Sequence, residues 1–244
     1  MKDGDIVKEI GIIMAAGLGM RMRPLTLNTP KPLVKVFGKP FIESIIEGLI
    51  RRNVSEIYIV TGHLKDQFSY LCDRYKNIIL LENPYYMIKN NISSVYVARD
   101  VLGTADCFIC EADLLISDSS IFDKELTDSC YYGKMVKGYS DDWVFEMQNG
   151  YISRVGKGGT DTYNMVGISY FKKKDALILR DEIVKAYAKE ENGNLYWDEV
   201  VDQNLDKLKL KIIPVQANQI VEIDTVDELI ALDSHALEDN RRLP

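Results

Sequence analysis

Histidine is scarce in this sequence, and its scarcity limits the chemistry that the chain can perform. The 244 residues include two histidines, His63 and His235. Neither lies near a Ser-x-Gly turn or a cysteine in a catalytic context, whereas nucleophilic triads need an imidazole beside the attacking serine or cysteine. Catalysis through a covalent serine or cysteine intermediate is therefore poorly supported.

Long apolar runs and an excess of basic residues are also missing. No stretch approaches the roughly 18 apolar residues of a membrane span, and no charged-then-apolar leader opens the chain. Lysine and arginine total 30 against 37 aspartates and glutamates, a net charge of −7, whereas nucleic-acid binders carry a basic excess. We expect a cytoplasmic protein without a membrane span or a nucleic-acid partner. The patterns leave its oligomeric state open.

Cysteine occurs at four positions only. Cys107 and Cys110 form a C-x-x-C pair, but they lie in an apolar, strand-like run that places their side chains poorly for a shared metal ion. We interpret these two, together with Cys72 and Cys130, as reduced thiols of the core.

The most informative stretch is a loop of small residues that follows an apolar strand at residues 10–14. The loop consists of Ala15, Ala16, Gly17, Leu18 and Gly19. Glycines let backbone N–H groups approach an anion closely, and Arg21 and Lys31 add positive charge. A continuous helix is prevented by Pro24, Pro30 and Pro32. The stretch therefore predicts an extended phosphate-binding loop at the end of a sheet.

Helical and strand-like segments alternate after this loop. Residues 40–52 carry apolar side chains at helical spacing, 55–62 form an apolar strand, and 65–75 and 77–81 follow as helix and strand. This order predicts an α/β fold with a doubly wound, Rossmann-like, mixed but mostly parallel sheet flanked by helices. Ligands of such sheets bind outside the carboxyl ends of the strands, so we expect Gly62 to face the ligand.

Residues 129–171 differ in composition from the segments before them. They are rich in β-forming residues and contain Asn149-Gly150, a strong hairpin signal. We expect a small antiparallel β excursion over the active site within a single domain of residues 1–244. Helices are expected at 175–189 and 195–205.

Two aspartates are candidates for holding a metal ion. Asp113 ends an apolar strand, where a carboxylate suits Mg²⁺ carried by nucleotide phosphates, although a turn aspartate fits the position equally well. Asp224 follows a short strand, and it could instead cap the helix after it.

Two further polar and aromatic features each have a structural and a functional interpretation. Ser93 and Ser94 could simply cap a short helix, or this polar segment could face a ligand. The only two tryptophans, Trp143 and Trp197, have carboxylates nearby, as in a box for a quaternary ammonium group. They could equally be core residues.

Together these motifs resemble those of the nucleoside-triphosphate transferase family, and in particular of the bacterial choline-phosphate cytidylyltransferases. The motifs are AAGLGxRxRPLTxNTPKPL, GxLKxQFxYL, NNxxSxY, DxWxF, LYWD and Glu-Ile-Asp before a late helix. They cover most of the chain. Two positions depart from the family pattern, Met20 in the loop and His63 after Gly62, and both lie near the expected nucleotide.

The resemblance implies a complete set of site residues. It implies CTP bound by Ala15 to Gly19, Arg21, Gly62 and Ser94, with Lys31 beside the α-phosphate and Arg21 on the pyrophosphate as the catalytic cations. It implies Mg²⁺ at Asp113 and Asp224. The choline group would be held by Trp143, Tyr196, Trp197 and Asp198.

The implied reaction is in-line attack of the phosphocholine phosphate on the α-phosphate of CTP, which gives CDP-choline and pyrophosphate. A second acceptor class is 2-aminoethylphosphonate or phosphoethanolamine, because a primary ammonium prefers carboxylates such as Asp141, Asp142 and Asp198. A sugar-1-phosphate nucleotidylyltransferase fits less well, since the chain is short and carries the aromatic box. A nucleotide-sensing module without turnover would not need the metal carboxylates or Lys31.

Overall fold

The computed structural model of the protein describes residues 8–189 and 194–241. The expected domain, residues 1–244, also includes residues 1–7, 190–193 and 242–244, which lie outside the described residues. That the chain forms one domain stays a prediction.

Eleven strands are described, and seven of them form a central sheet. The strands are β1 (Glu9–Ala15), β2 (Lys35–Val36), β3 (Lys39–Pro40), β4 (Glu56–Thr61), β5 (Ile78–Glu82), β6 (Asp106–Glu111), β7 (Leu114–Ile116), β8 (Cys130–Gln148), β9 (Tyr151–Phe171), β10 (Lys211–Val215) and β11 (Ile220–Glu222). The central sheet has the order β10-β8-β9-β6-β1-β4-β5. Strand β1 pairs in parallel with β4 and β6, β4 with β5, and β8 with β10, whereas β9 is antiparallel to both β6 and β8. The predicted mixed, mostly parallel α/β sheet is confirmed.

Helices cover both faces of the sheet. They are α1 (Phe41–Arg51), α2 (Tyr70–Arg74), α3 (Ile92–Val97), α4 (Lys173–Tyr187), α5 (Trp197–Asp202), α6 (Val226–Leu232) and α7 (Ala236–Arg241). Because side chains alternate along a strand, β1 sends Ile13 into a core with α1 and α2, and Ile10 and Ile12 into a second core with α3, α4 and α5. None of the described helices is long and apolar enough to cross a bilayer.

The parallel strands end at one edge of the sheet. Met14 of β1 is in register with Val60 of β4 and with Glu111 of β6, and Thr61 is in register with Glu82 of β5. The segments that follow these strands therefore meet at one edge, where the crevice of a doubly wound sheet lies.

The loop after β1 is extended, as its prolines predict. It contains three single 3₁₀ turns, Met20–Met22, Leu25–Leu27 and Lys31–Leu33, and no α-helix. Gly19 has a φ of 60°, and a Cβ there would lie 2.9 Å from the Cβ of Lys31. The close approach of two parts of the loop at Gly19 brings Lys31 back beside the start of the loop.

The β-rich region forms an antiparallel pair of long strands, as the sequence predicts. Strands β8 and β9 turn at Asn149 and Gly150, with φ values of 52° and 80°, as the Asn-Gly signal indicates. The pair is continuous with the central sheet, because β9 pairs with β6 and β8 with β10. Their shared region reaches the cleft described below through Trp143 and Lys157, which are in register with each other.

Several local predictions need correction. Helix α3 begins after Asn91, so Ser93 and Ser94 lie inside the helix and do not cap it. Helix α5 ends at Asp202, three residues before the predicted end. Cys107, Cys110 and Cys130 are buried thiols, but Cys72 is exposed because it lies on the outer side of α2.

Candidate active site

A cleft of about 590 Å³ opens at the carboxyl ends of β1, β5 and β6. Nine of the predicted site residues line it: Ala16, Gly17, Arg21, Ser94, Asp113, Trp143, Tyr196, Asp198 and Asp224. Residues that the sequence reasoning did not assign to the site also line it, among them Asn83, Tyr86, Glu111, Lys157 and Glu222. Segments that are far apart in sequence therefore meet in one polar cleft.

The small-residue loop forms one end of the cleft. Gly17 is exposed, and a Cβ added there would meet no atom of residues 8–189 and 194–241 within 4 Å, so its backbone is open to a ligand. Ala15 is buried at the end of β1, and Leu18 and Gly19 follow Gly17 without lining the cleft. An exposed backbone at Gly17 beside Arg21 fits an anion.

Gly62 supports this loop from the next strand. A Cβ at Gly62 would lie 2.8 Å from the carbonyl oxygen of Ala16 and 2.8 Å from the ring of Tyr86. His63, the unusual residue of the motif, donates its backbone N–H to the same Ala16 oxygen at 3.1 Å. Its Nε2 lies 2.9 Å from the carbonyl oxygen of Thr26. Gly62 and His63 therefore hold the loop against β4.

Lys31 connects the two predicted metal-binding aspartates. Its Nζ lies 2.8 Å from Asp113 Oδ2 and 2.7 Å from Asp224 Oδ1, and a guanidinium nitrogen of Arg21 lies 2.7 Å from the same Asp224 oxygen. Burial disfavours the charge on Lys31, but the carboxylates of Asp113 and Asp224 outweigh it and raise the pKa of the ammonium. Lys31 and Arg21, the cations predicted to be catalytic, therefore form ion pairs with the aspartates predicted to bind the metal ion.

Asp224 does not cap α6. The cap is Thr225, whose hydroxyl accepts the backbone N–H of Glu228, while the Glu228 carboxylate accepts the N–H groups of Asp224 and Thr225. The antiparallel pair of β7 and β11 aligns Asp224 with Asp113, because the N–H of Ile223 donates to the Asp113 carbonyl at 3.2 Å. The carboxylate of Asp224 is thus left for the cleft.

Two glutamates join Asp113 in an acidic cluster. Glu111, Asp113 and Glu222 each place one carboxylate oxygen within 4.8 Å of the others. Glu111 precedes Asp113 by two residues, and Glu222 precedes Asp224 by two. In each case the two carboxylates can reach the same side of an extended chain. This repeated Glu-x-Asp spacing is the sequence signal for the two glutamates that the prediction missed.

The cluster fits a hard divalent cation. Asp113 Oδ1 is buried, and none of the described residues hydrogen-bonds to it. The lone pairs of this oxygen are therefore available to a cation. Burial, reinforced by the Asp113 carboxylate, raises the pKa of Glu111 well above its usual range. The same two causes raise the pKa of Glu222 to about 8. A cation bound among these oxygens would relieve both the burial penalty and the repulsion, and carboxylate oxygens are the ligands that Mg²⁺ prefers.

Asn83 and the serines of α3 form a polar wall beside the loop. Asn83 is buried, lies directly after β5 and donates its amide to the hydroxyls of Ser93 and Ser94. Tyr86, which packs on Gly62, lines the cleft beside them. Ser94 was predicted as a nucleotide contact, and Asn83, at the end of a parallel strand, could have been found by the same rule as Gly62.

The opposite end of the cleft combines aromatic rings and carboxylates. The rings of Trp143 and Tyr196 meet edge to face with their centres 5.4 Å apart. Asp142 and Asp198 line the same region. Asp198 is 3% exposed and accepts the hydroxyl of Tyr131 at 2.9 Å, and its burial raises the pKa of its carboxyl to about 7.

Trp197 occupies a different place from the one the aromatic box requires. It is 3% exposed and stacks on Tyr131, with the ring centres 5.9 Å apart, in the core against α4 and β9. Trp197 and Asp198 are the first two residues of α5, and successive residues of a helix point about 100° apart, so Trp197 points inward while Asp198 lines the cleft. Tyr196, the extended residue before the helix, also lines the cleft. The box as observed has two aromatic members, Trp143 and Tyr196.

Comparisons with known proteins find relatives that align over most of the chain. Residues 10–138 match the family model described as nucleotidyl transferase. The 2-aminoethylphosphonate cytidylyltransferase of Lancefieldella rimae is 50% identical over 234 residues, which are 96% of this chain and 95% of that protein. The choline-phosphate cytidylyltransferase of Streptococcus pneumoniae is 34% identical over 91% of this chain and 96% of its own. A solved structure of CTP:phosphocholine cytidylyltransferase from Streptococcus pneumoniae superposes with a TM-score of 0.85 at 33% identity, and covers 93% of this chain and 99% of that one.

Proposed function

The chain belongs to the nucleotidyl transferase family and is a cytidylyltransferase, and from that premise we propose that it transfers the cytidylyl group of CTP to 2-aminoethylphosphonate. The products are pyrophosphate and an anhydride of CMP with the phosphonate, in which a phosphonate oxygen is bonded to the α-phosphorus. The likeness to the Lancefieldella rimae enzyme, which extends over nearly the whole chain, carries this choice of acceptor.

The acceptor end of the cleft supports a primary ammonium group. A quaternary ammonium is best held by several aromatic faces. Because Trp197 is buried in the core, the aromatic faces available from the predicted box are those of Trp143 and Tyr196. A primary ammonium has three hydrogens to donate, and Asp142 and Asp198 line this region as acceptors.

The reaction requires alignment and charge neutralisation. A phosphonate oxygen of the acceptor forms the new bond to the α-phosphorus of CTP, the bond from that phosphorus to the β-phosphate oxygen breaks, and pyrophosphate leaves with the electron pair. The attacking oxygen is already anionic, so no general base is needed. What the site must supply is in-line placement and positive charge.

Three cations in or beside the cleft are placed for this task. Lys31 Nζ lies within 2.8 Å of Asp113 and Asp224, the carboxylates proposed to bind the metal ion. From there its ammonium group can rotate to contact the α-phosphate. Arg21 is largely exposed on the loop side and can hold the pyrophosphate. Lys157 lines the cleft beside Trp143 and can hold the acceptor's phosphonate.

We propose Mg²⁺ as the cofactor, held by Asp113 and Asp224 together with Glu111 and Glu222. Bound there, the ion neutralises negative charge on the nucleotide phosphates. Asp113 Oδ1, which has no hydrogen-bond partner among the described residues, and the oxygen-only donor set support this assignment.

A second candidate acceptor is phosphocholine. The edge-to-face corner of Trp143 and Tyr196 offers a quaternary ammonium two aromatic faces, and the superposition on the pneumococcal enzyme supports the same scaffold for that acceptor.

The test is pyrophosphate release from CTP with Mg²⁺ and four acceptors in parallel: 2-aminoethylphosphonate, phosphoethanolamine, phosphocholine and glucose-1-phosphate. We expect the highest kcat/KM with 2-aminoethylphosphonate, and a product whose ³¹P spectrum retains a carbon-bound phosphorus. Chelation of the metal should stop the reaction. A higher kcat/KM with phosphocholine would overturn the choice of acceptor in favour of the second candidate.

A further inference from the structure

Asn83 fixes the hydrogen-bonding direction of the two α3 serines. It is 1% exposed, and its Oδ1 accepts the backbone N–H of Tyr85 at 2.9 Å. The amide oxygen must face that N–H, so the amide nitrogen faces the serines. There Nδ2 donates to Ser93 Oγ at 2.9 Å and to Ser94 Oγ at 3.2 Å.

The two serines differ in what happens to their own hydroxyl hydrogens. Ser93 donates its hydrogen to the carbonyl oxygen of Asn90 at 2.8 Å. Ser94 receives the same Asn83 amide, but within residues 8–189 and 194–241 no acceptor takes its hydrogen. Ser94 is 5% exposed and lines the cleft, so the uncommitted hydrogen is available to a ligand.

Ser94 is therefore biased to act as a donor. If it accepted a hydrogen bond from a ligand, its own hydrogen would be left without a partner once the ligand covers the 5% exposed side chain, which is costly. If it donates to the ligand, both its hydrogen and one of its lone pairs are satisfied. An isolated serine could rotate and do either, so the direction comes from Asn83.

A fixed donor at this position can tell cytosine from uracil. The N3 atom of cytosine accepts a hydrogen bond, whereas the N3–H of uracil donates one. Tyr86 lines the cleft close by and offers an aromatic surface for a base. A site that is built to pair with one group discriminates strongly against an analogue that leaves its polar atoms unpaired.

We propose that the Ser94 hydroxyl donates to N3 of the cytosine of CTP, and that Asn83 is the positioning residue that holds Ser94 in the donor sense. The pair selects CTP over UTP. This inference rests on CTP being the nucleotide of the proposed function, and it is independent of which acceptor the enzyme uses.

The first experiment compares Ser94→Ala with its neighbour Ser93→Ala. Calorimetry of the full chain with Mg²⁺ and without acceptor measures the affinities for CTP, UTP and dCTP. We expect Ser94→Ala to lower the CTP-to-UTP affinity ratio about tenfold, the size of one lost hydrogen bond. Ser93→Ala should leave that ratio unchanged, because its hydrogen is already given to Asn90. Neither variant should change the CTP-to-dCTP ratio.

The second experiment reverses the direction of the donor. In Asn83→Asp the side chain accepts from the serines, so Ser94 gives its hydrogen to residue 83 and turns a lone pair to the ligand. The affinity for UTP should then rise relative to that for CTP. Thermal melting reports whether this variant folds, and the two serine variants carry the test if it does not.

The outcomes separate this inference from the proposed function. Equal losses of CTP and UTP affinity in Ser94→Ala, or a changed CTP-to-dCTP ratio, would show that the serine contacts the pyrimidine O2 or the ribose and would overturn the inference. Equal binding of CTP and UTP by the unaltered protein would overturn it as well. Failure to turn over 2-aminoethylphosphonate, with the nucleotide selectivity as expected, would contradict only the proposed acceptor.

Discussion

At the scale of single residues, the site is organised by ion pairs between its cations and its carboxylates. Lys31 bridges Asp113 and Asp224, and Arg21 shares the same Asp224 oxygen. The lysine thus compensates two carboxylates that are also proposed to hold a divalent cation. Asp113 remains under-satisfied even so, because its second oxygen has no partner among the described residues.

Asp113→Asn tests the metal role. The amide keeps the shape of the side chain but removes the charge, so we expect turnover to fall about 100-fold or more, in line with the loss of other preorganised electrostatic groups. Binding of Mn²⁺, followed by calorimetry, should weaken in parallel. The matched control is Asp123→Asn, which alters an exposed carboxylate paired with Arg51. Near-normal turnover in Asp113→Asn would remove this carboxylate from the metal site.

Substitutions of the two tryptophans should have different effects, one on substrate binding and the other on folding stability. Trp143→Ala removes one of the two aromatic faces at the acceptor end, so the KM for the amine substrate should rise about tenfold, with little change in the KM for CTP. Trp197→Phe reduces a core side chain. It should lower the free energy of unfolding by about 1 kcal/mol or more, with the acceptor KM nearly unchanged. Equal effects of Trp143→Ala on both substrates would contradict its place in the acceptor site.

At the scale of elements, the ends of the strands and the loops that follow them carry the site. The loop after β1 remains extended because of its prolines and folds back at Gly19, where Lys31 approaches. The small antiparallel sheet of β7 and β11 then brings Asp224 to Asp113. Each of these elements is short, and each positions one functional group.

Gly17→Ala tests the backbone of the loop separately from its folding. A Cβ at Gly17 would meet no neighbour within 4 Å in the part of the chain that the structure describes, so the free energy of unfolding should change by less than about 0.5 kcal/mol. The methyl group would nevertheless stand where an anion is expected to approach the backbone. The affinity for CTP, measured by calorimetry, should therefore fall about tenfold.

The control for Gly17→Ala is Gly62→Ala, a glycine substitution at a crowded position. A Cβ at residue 62 would lie 2.8 Å from the Ala16 oxygen and from the Tyr86 ring. That variant should lose both stability and CTP affinity, because the backbone must shift. Unchanged CTP binding in Gly17→Ala would argue against this loop as the phosphate site.

Sequence periodicity located these elements better than it located their ends. The strands before Ala15 and Gly62 and helix α1 lie where the apolar spacing predicts them, because burial on a sheet imposes that spacing. Ser93 and Ser94 are candidate helix caps from sequence alone because serine favours that position, but the buried amide of Asn83 engages both hydroxyls inside α3. The partner that decides the position of these serines lies in another element.

At the scale of the whole molecule, Asp198 couples the cleft to folding stability. Burial raises the pKa of its carboxyl from 3.8 to about 7. Between these values the folded chain binds a proton that the unfolded chain has released. Raising the pH through this range should therefore lower the free energy of unfolding, on the order of a few kcal/mol.

The measurement is urea unfolding near pH 5 and near pH 8, with Asp198→Asn as the comparison. The asparagine keeps an oxygen for the Tyr131 hydroxyl but does not ionise. The unaltered protein should lose more stability at the higher pH than the variant does. The same loss in both proteins would show that Asp198 does not carry this dependence.

The sequence by itself determined the fold class, the family and many of the residues that line the cleft. The apolar periodicity, the Ala-Ala-Gly-Leu-Gly loop and its prolines, and the acidic ends of two short strands are encoded locally, within a few neighbouring residues. Local patterns of this kind follow from backbone sterics and from the burial of apolar side chains.

The tertiary structure alone decided which of these groups act together. It placed Lys31 between Asp113 and Asp224, added Glu111 and Glu222 to them, and turned Trp197 into the core. It also gave Asn83 control of the Ser94 hydroxyl. These contacts join residues up to 193 positions apart, and such pairings depend on how strands pair and helices pack, which no local spacing specifies.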